Sequence, residues 1–130
     1  MRYLIATTIL LAGALPVTAR AQWKEIGKTA SNNPVYVDPR SVKTKDGIVT
    51  ARIQVKFVEP VKTPQGEWRM SRHVAMFDCA KKTVAAKSTT YYADLAAKKV
   101  VETKTIAIPG FGSPIGGSMT QVAWDYFCKK

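Results

Sequence analysis

Between Ile48 and Val58 the chain alternates: Val49, Ala51, Ile53, Val55 and Phe57 are apolar, and Thr50, Arg52, Gln54 and Lys56 between them are polar or charged. Successive side chains of a strand point to opposite faces, so a period of two predicts a strand with one buried face and one wet, basic face. Trp68 to Asp78 alternates less cleanly, with Trp68, Met70, Val74 and Met76 sharing a face with Arg72, and Arg69, Ser71, His73, Ala75 and Phe77 on the other. Thr83–Tyr92 is rich in β-branched and aromatic residues, and Val100–Ile108 is a last strand candidate. Two shorter ones come first: Trp23–Lys28, with Trp23 expected in the core and Ile26 near the opposite face, and Val35–Val37.

Turn chemistry separates these segments. Ser31-Asn32-Asn33-Pro34 is a turn, and in Asp38-Pro39-Arg40-Ser41 the aspartate can accept from backbone N–H groups ahead of it while proline fixes its own φ. Asp46-Gly47 suits the positive φ of a hairpin turn. A loop is expected around Pro60, Pro64 and Gly66, and a loop or helical turn over Asp94–Lys99. Gly110 to Gly117 is expected to be a flexible linker, after which Ser118 can cap a helix carrying Met119, Val122, Ala123, Tyr126 and Phe127 at helical spacing. Lys129 and Lys130 suit the C-terminal end of that helix. Short strands joined by turns, with no long helix between them, predict an α+β domain built on an antiparallel meander.

The first 21 residues differ from this pattern. Met1 and Arg2 precede an apolar run from Tyr3 to Leu15, then Pro16 and Ala19-Arg20-Ala21, which together predict a cleaved secretory signal peptide. The expected exported domain is 22–130, with no transmembrane segment. Its first residue is Gln22, not a lipid-accepting cysteine, so a periplasmic or released protein is expected and surface display by acylation is not. Export also favours a disulfide between the two cysteines, Cys79 and Cys128, the one intramolecular pairing available.

The full chain has 20 Lys and Arg against 9 Asp and Glu; without Arg2 and Arg20 the exported part keeps 18 against 9, a net +9. Such a field in a small domain attracts anions. Because export removes nucleic acid from consideration, the expected partners are acidic glycans, anionic envelope lipids or acidic protein surfaces. Catalytic signatures are missing: the acidic residues are scattered, His73 is the sole imidazole, and neither G-x-S-x-G, H-E-x-x-H nor C-x-x-C occurs. No enzyme activity, cofactor or metal site is therefore expected. The basic residues do cluster along the chain. If the strands are neighbours, Arg52, Lys56, Arg69, Arg72, His73, Lys81, Lys82 and Lys87 could form one basic surface with Trp68, Tyr91 and Tyr92 nearby.

The order of motifs resembles the surface-adhesin protein E family of exported bacterial proteins. The resemblance is carried by Trp23-Lys24-Glu25-Ile26-Gly27, by Val35-Tyr36-Val37-Asp38-Pro39-Arg40-Ser41-Val42, by Gly47 leading into the alternating strand, by Arg69 to Cys79, and by Cys128 two residues from the end. It implies an antiparallel sheet of about six strands with a C-terminal helix held against one face by the Cys79–Cys128 disulfide. It also implies adhesion to host extracellular-matrix or serum proteins such as vitronectin and laminin through the basic segment Arg69–Tyr92, with Arg69, Arg72, His73, Lys81, Lys82 and Lys87 as candidate binding residues. The alternative is a periplasmic structural or envelope-maintenance protein acting through a sheet edge, including as a homodimer.

Overall fold

A computed structural model describes residues 22–129; the expected signal peptide lies outside the described residues. The alternating segment becomes the longest strand, Ile48–Thr63 (β4), flanked by Lys24–Lys28 (β1), Pro34–Val37 (β2) and Lys43–Lys45 (β3) before it. Gly66–Asp78 (β5), Thr83–Tyr92 (β6), Val100–Thr105 (β7) and one helix, Met119–Cys128 (α1), follow. All pairings are antiparallel, in the order β1-β2-β4-β5-β6-β7. β3 lies beside β4 as well, so seven strands make a meander. β2 covers Ile53–Val55 of β4 and β3 covers Ile48–Thr50, with the turn at Asp38 interrupting what is otherwise one edge of β4.

Three segments depart from the expected boundaries for identifiable reasons. The loop expected at Pro60 is strand: the register between β4 and β5 slips between Lys56 and Val61, and proline, which has no N–H to give the ladder, sits within that irregularity. Pairing resumes at Val61↔Trp68 and closes through Thr63↔Gly66. β3 was hidden because Lys43-Thr44-Lys45 is polar and exposed, yet Asp46 (φ 53°) and Gly47 (φ 77°) form a turn with two left-handed residues that folds it back on β4. β7 stops at Thr105, short of Ile108, next to a shift in the β5–β6 register that leaves Lys87 as an extra residue in β6. The chain beyond is partly tied down, since Gly112 and Val84 exchange both backbone hydrogen bonds at 2.8 and 3.0 Å.

The core lies between the sheet and α1. Val35 and Val37 of β2, Ala51, Ile53 and Val55 of β4, Ala75 and Phe77 of β5, Val84 and the helical Ala123 are buried there, with Ile26, Phe57, Val122 and Phe127 packed around them. Of the two faces of β5, the inner one is thus that of Ser71, His73, Ala75 and Phe77; Arg72, Val74 and Met76 face outward with Arg52 and Gln54. Trp23, expected in the core, is instead a half-buried residue over the outer face, because it stands one step before β1 and on the opposite side from Ile26.

Four contacts fasten the helix. Cys79, just past β5, is bonded to Cys128 in the last turn of α1, with Cα atoms 5.1 Å apart. Trp124 Nε1 donates to the Asp78 carbonyl at 3.4 Å, and the Phe77 and Phe127 rings stand 5.2 Å apart. At the other end Ala30 N–H donates to the Gly117 carbonyl at 2.9 Å. Ser118 occupies the N-cap position but makes no side-chain capping bond; its hydroxyl donates instead to the Ile115 carbonyl at 2.6 Å. Between these ends β1 and α1 approach so closely that a Cβ on Gly27 would lie 2.7 Å from Val122 Cγ1.

Two substitutions check this account. Cys128→Ser opens a covalent loop spanning 49 residues and is expected to destabilise the oxidised domain by roughly 4 kcal/mol in the chain-entropy description, read as a fall in the urea midpoint. Gly27→Ala is expected to push α1 away from β1, with a loss of about 1–3 kcal/mol in the same measurement; an unchanged midpoint would mean the helix does not rest on β1.

Candidate binding surface

One helix covers one face of a sheet, so the other face is free to carry function. Cross-strand register decides which side chains meet there. Tyr36, Gln54, Arg72, Thr90 and Thr103 run side by side from β2 to β7, and Arg52, Val74, Ser88 and Thr105 form the adjacent row.

Arg52 is set by the turn that precedes β3. Asp38 caps that turn, accepting from Arg40 N–H at 3.1 Å, while the Ser41 hydroxyl donates to the Asp38 carbonyl at 2.7 Å and accepts from Arg52 N–H at 2.8 Å. The Asp38 carboxylate, 7% exposed, then receives the Arg52 guanidinium at 3.4 Å. Arg72 is held differently: its Nε donates to Gln54 Oε1 at 2.9 Å, on a buried glutamine. Both guanidinium carbons stand near the Trp23 ring, Arg52 at 5.3 Å and Arg72 at 5.0 Å from its centroid, and Arg72 also lies 5.5 Å from the Tyr92 ring. The negative face of an aromatic ring attracts a cation, so the indole lets two like charges share a small area. Lys56 extends the patch, 5.0 Å from the ring of Tyr36.

The basic residues expected on a single surface do not all meet. Arg72 joins Arg52 on the outer face, as does Tyr92, while Trp68 and Tyr91 stack on each other 3.6 Å apart and line a cavity at the inner face. Arg69 is exposed and lies 3.8 Å from Glu67, near the β4–β5 turn. Lys81 and Lys82 occupy the β5–β6 turn at the other end of β5, separated from Arg69 by nine residues of strand, about 30 Å. Lys87 is exposed at the irregularity in β6. Alternation in β5 puts His73 on the opposite face from Arg72.

His73 is not a cation. Burial lowers its pKa from 6.5 to about 4. Ser71 Oγ lies 2.8 Å from Nε2 and Thr89 Oγ1 lies 3.0 Å from Nδ1, so in the neutral ring one nitrogen donates and the other accepts. Ser71 and His73, with Phe57, Tyr91 and Met119, border a largely apolar cavity of about 350 Å³. A hydroxyl beside an imidazole invites comparison with a hydrolytic dyad, but the chemistry is poor. The third partner is Thr89, not a carboxylate that would stabilise an imidazolium, and a histidine of such low pKa is a weak general base. Ser71 is moreover buried beneath the sheet surface, at 1% exposure.

Asp38, Gln54, Trp23 and Thr90 were missing from the candidate residues. The Asp-Pro-x-Ser turn is a signal in the sequence, but that its carboxylate reaches Arg52 fourteen residues later depends on β2 and β4 being adjacent. No sequence signal places Trp23 over Arg72.

Since His73 stays neutral in the fold to about pH 4 but is protonated below about 6.5 when unfolded, the unfolded state binds the extra proton in between. Stability from this group is complete above 6.5 and falls as pH drops towards 4, by roughly 3 kcal/mol in total. The stability difference between the native protein and His73→Gln, followed by urea unfolding, is expected to shift by that amount across this window; a pH-independent difference would mean the histidine is charged when folded.

The sequence pattern of the surface-adhesin protein E family matches residues 23–129. A search of curated protein sequences found no match. Among solved structures, crystal form II of Haemophilus influenzae protein E superposes with a TM-score of 0.57 at 15% identity, covering 87% of this chain and 91% of that one. A further structure of H. influenzae protein E gives 0.55 at 16% identity, covering 88% and 89%. Protein E from non-typeable H. influenzae also gives 0.55 at 16%, covering 87% and 79%. At these identities the likeness is one of fold. No helix among the described residues is long and apolar enough to cross a membrane.

Proposed function

Since the chain belongs to the surface-adhesin protein E family, we propose that it is an exported, non-enzymatic binding module that attaches to acidic or extracellular-matrix macromolecules through its basic residues. The observation that carries this reading is the outer sheet face, where α1 does not pack and where Arg52, Arg72, Trp23 and Tyr92 converge. Arginines held in place by neighbours present planar, already oriented donors to anionic oxygens, at a smaller entropy loss than free lysines. In this reading Arg72 is central, Arg69 and Lys87 lie on the approach, and Lys81 and Lys82 add charge from a distant turn. His73 acts in the fold, where its burial keeps it neutral. Export rests on the residue pattern of 1–21 and agrees with a family of surface proteins.

A second reading has its own support. β7 is an edge strand, and the apolar Val100, Ile106 and Ile108 on and after it are exposed, Ile108 at 89%. An envelope protein paired through that edge would use main-chain hydrogen bonds and apolar contact. The two readings differ in salt dependence, because charge contacts weaken as salt shortens the Debye length and edge pairing does not.

Saturable capture of immobilised vitronectin or laminin is expected for the purified protein at physiological salt. The double variant Arg69→Ala/Arg72→Ala is expected to lower that capture about ten-fold or more, a loss of 1.5–3 kcal/mol per charged contact, with only a few degrees' change in Tm. Capture unaffected by the substitution, with salt-insensitive dimers in sedimentation, would favour the edge-paired structural role.

A further inference from the structure

The outer face carries a charge imbalance at one spot. Arg52 and Arg72, diagonal neighbours on β4 and β5, share one carboxylate between them, since Asp38 pairs with Arg52 while Arg72 meets the neutral oxygen of Gln54 and has no acidic partner among the described residues. Like charges this close repel unless something offsets them. The indole of Trp23 offsets part of it by facing both. What remains is positive, and it borders a cleft of about 100 Å³ whose lining includes Arg52, Arg72, Ser88, Thr90 and Tyr92, together with the neutral His73.

Donor-bearing side chains border this cleft from two sides. Arg52 and Arg72 come from β4 and β5, and the hydroxyl-bearing Ser88 and Thr90 come from β6. A carboxylate has two coplanar oxygens, which one arginine fork can satisfy, whereas a tetrahedral oxyanion has oxygens left over for a second arginine and a hydroxyl. The cleft is large enough for such a head group and too small for the sugar or peptide behind it. Beside Thr90 and Ser88 the next strand carries Thr103 and Thr105, and the ring of Tyr92 stands 5.5 Å from Arg72. Apolar pockets that would anchor a protein partner's aromatic side chains are absent from its lining.

We propose that the cleft between Arg52, Arg72 and Thr90 receives one sulfate ester of a sulfated glycan, whose sugar rings lie along the outer face beside Tyr92. The proposal rests on the binding role above and gives it a ligand chemistry. Asp38 and Gln54 are positioning residues: they hold the two guanidiniums towards the cleft and do not touch the anion. A sulfate monoester keeps its charge down to strongly acidic pH, so the ligand itself stays anionic wherever the protein is folded.

The test follows the arginine Nε–H signals of Arg52 and Arg72 by NMR in ¹⁵N-labelled protein titrated with a heparin octasaccharide. Parallel titrations use the chemically desulfated octasaccharide, a poly-glutamate peptide and phosphatidylglycerol vesicles. Both signals are expected to shift saturably with the sulfated sugar alone. Arg72→Gln is expected to weaken binding about ten-fold or more, the loss of a charge-assisted contact. Lys81→Gln/Lys82→Gln, which removes twice the charge at the far turn, is expected to leave it nearly unchanged. Thr90→Val, which keeps every charge and spares the arginine packing, is expected to weaken it by a smaller factor, so a folding defect in Arg72→Gln would not decide the matter. Equal weakening by the arginine and lysine variants, or an equal response to poly-glutamate, vesicles or the desulfated sugar, would overturn the proposal. Capture of vitronectin or laminin without any shift at Arg52 and Arg72 would overturn it while leaving the binding role intact.

Discussion

Everything in this fold depends on the attachment of α1 to one side of the sheet. A domain of this size has a single modest core, and here that core is centred where the helix meets β1, β2, β4 and β5. The attachment is covalent at one end, through Cys79 and Cys128, and steric in the middle, where Gly27 admits Val122 to a distance that no other residue would allow. In an oxidising compartment a disulfide supplies stability that a ten-residue helix could not reach alone. The inner face also holds what must stay dry, including a histidine whose two ring nitrogens are occupied by hydroxyls.

One-sided burial releases the other face. Residues that would be costly to bury, two arginines and an exposed edge of indole, are gathered there by strand register, each held by a neighbour of suitable chemistry. A carboxylate holds Arg52, an amide oxygen holds Arg72, and aromatic rings face both. Such a lattice fixes the direction of the guanidinium groups before any partner arrives, which lowers the entropy lost on binding. It also explains why the turn at Asp38 is so heavily hydrogen-bonded, since the same four residues end β2, begin β3 and set Arg52.

The sequence alone determined those features whose causes are local. The alternation from Ile48 to Val58 marked β4 and its buried face because side-chain direction in a strand depends only on parity. Asp38-Pro39-Arg40-Ser41 and Asp46-Gly47 announced turns through their own side-chain and backbone preferences, and helical spacing from Met119 to Phe127 marked α1. Two cysteines permitted one pairing, and that pairing is present. Tertiary structure decided what depends on distant neighbours: that Arg72 faces outward and His73 inward, that Trp23 leaves the core for two arginines, and that Arg69 and Lys81 stand at opposite ends of β5. A basic run along the chain becomes a basic surface only where strand register and curvature bring its members to one side, and alternation in β5 sends neighbours in sequence to opposite faces.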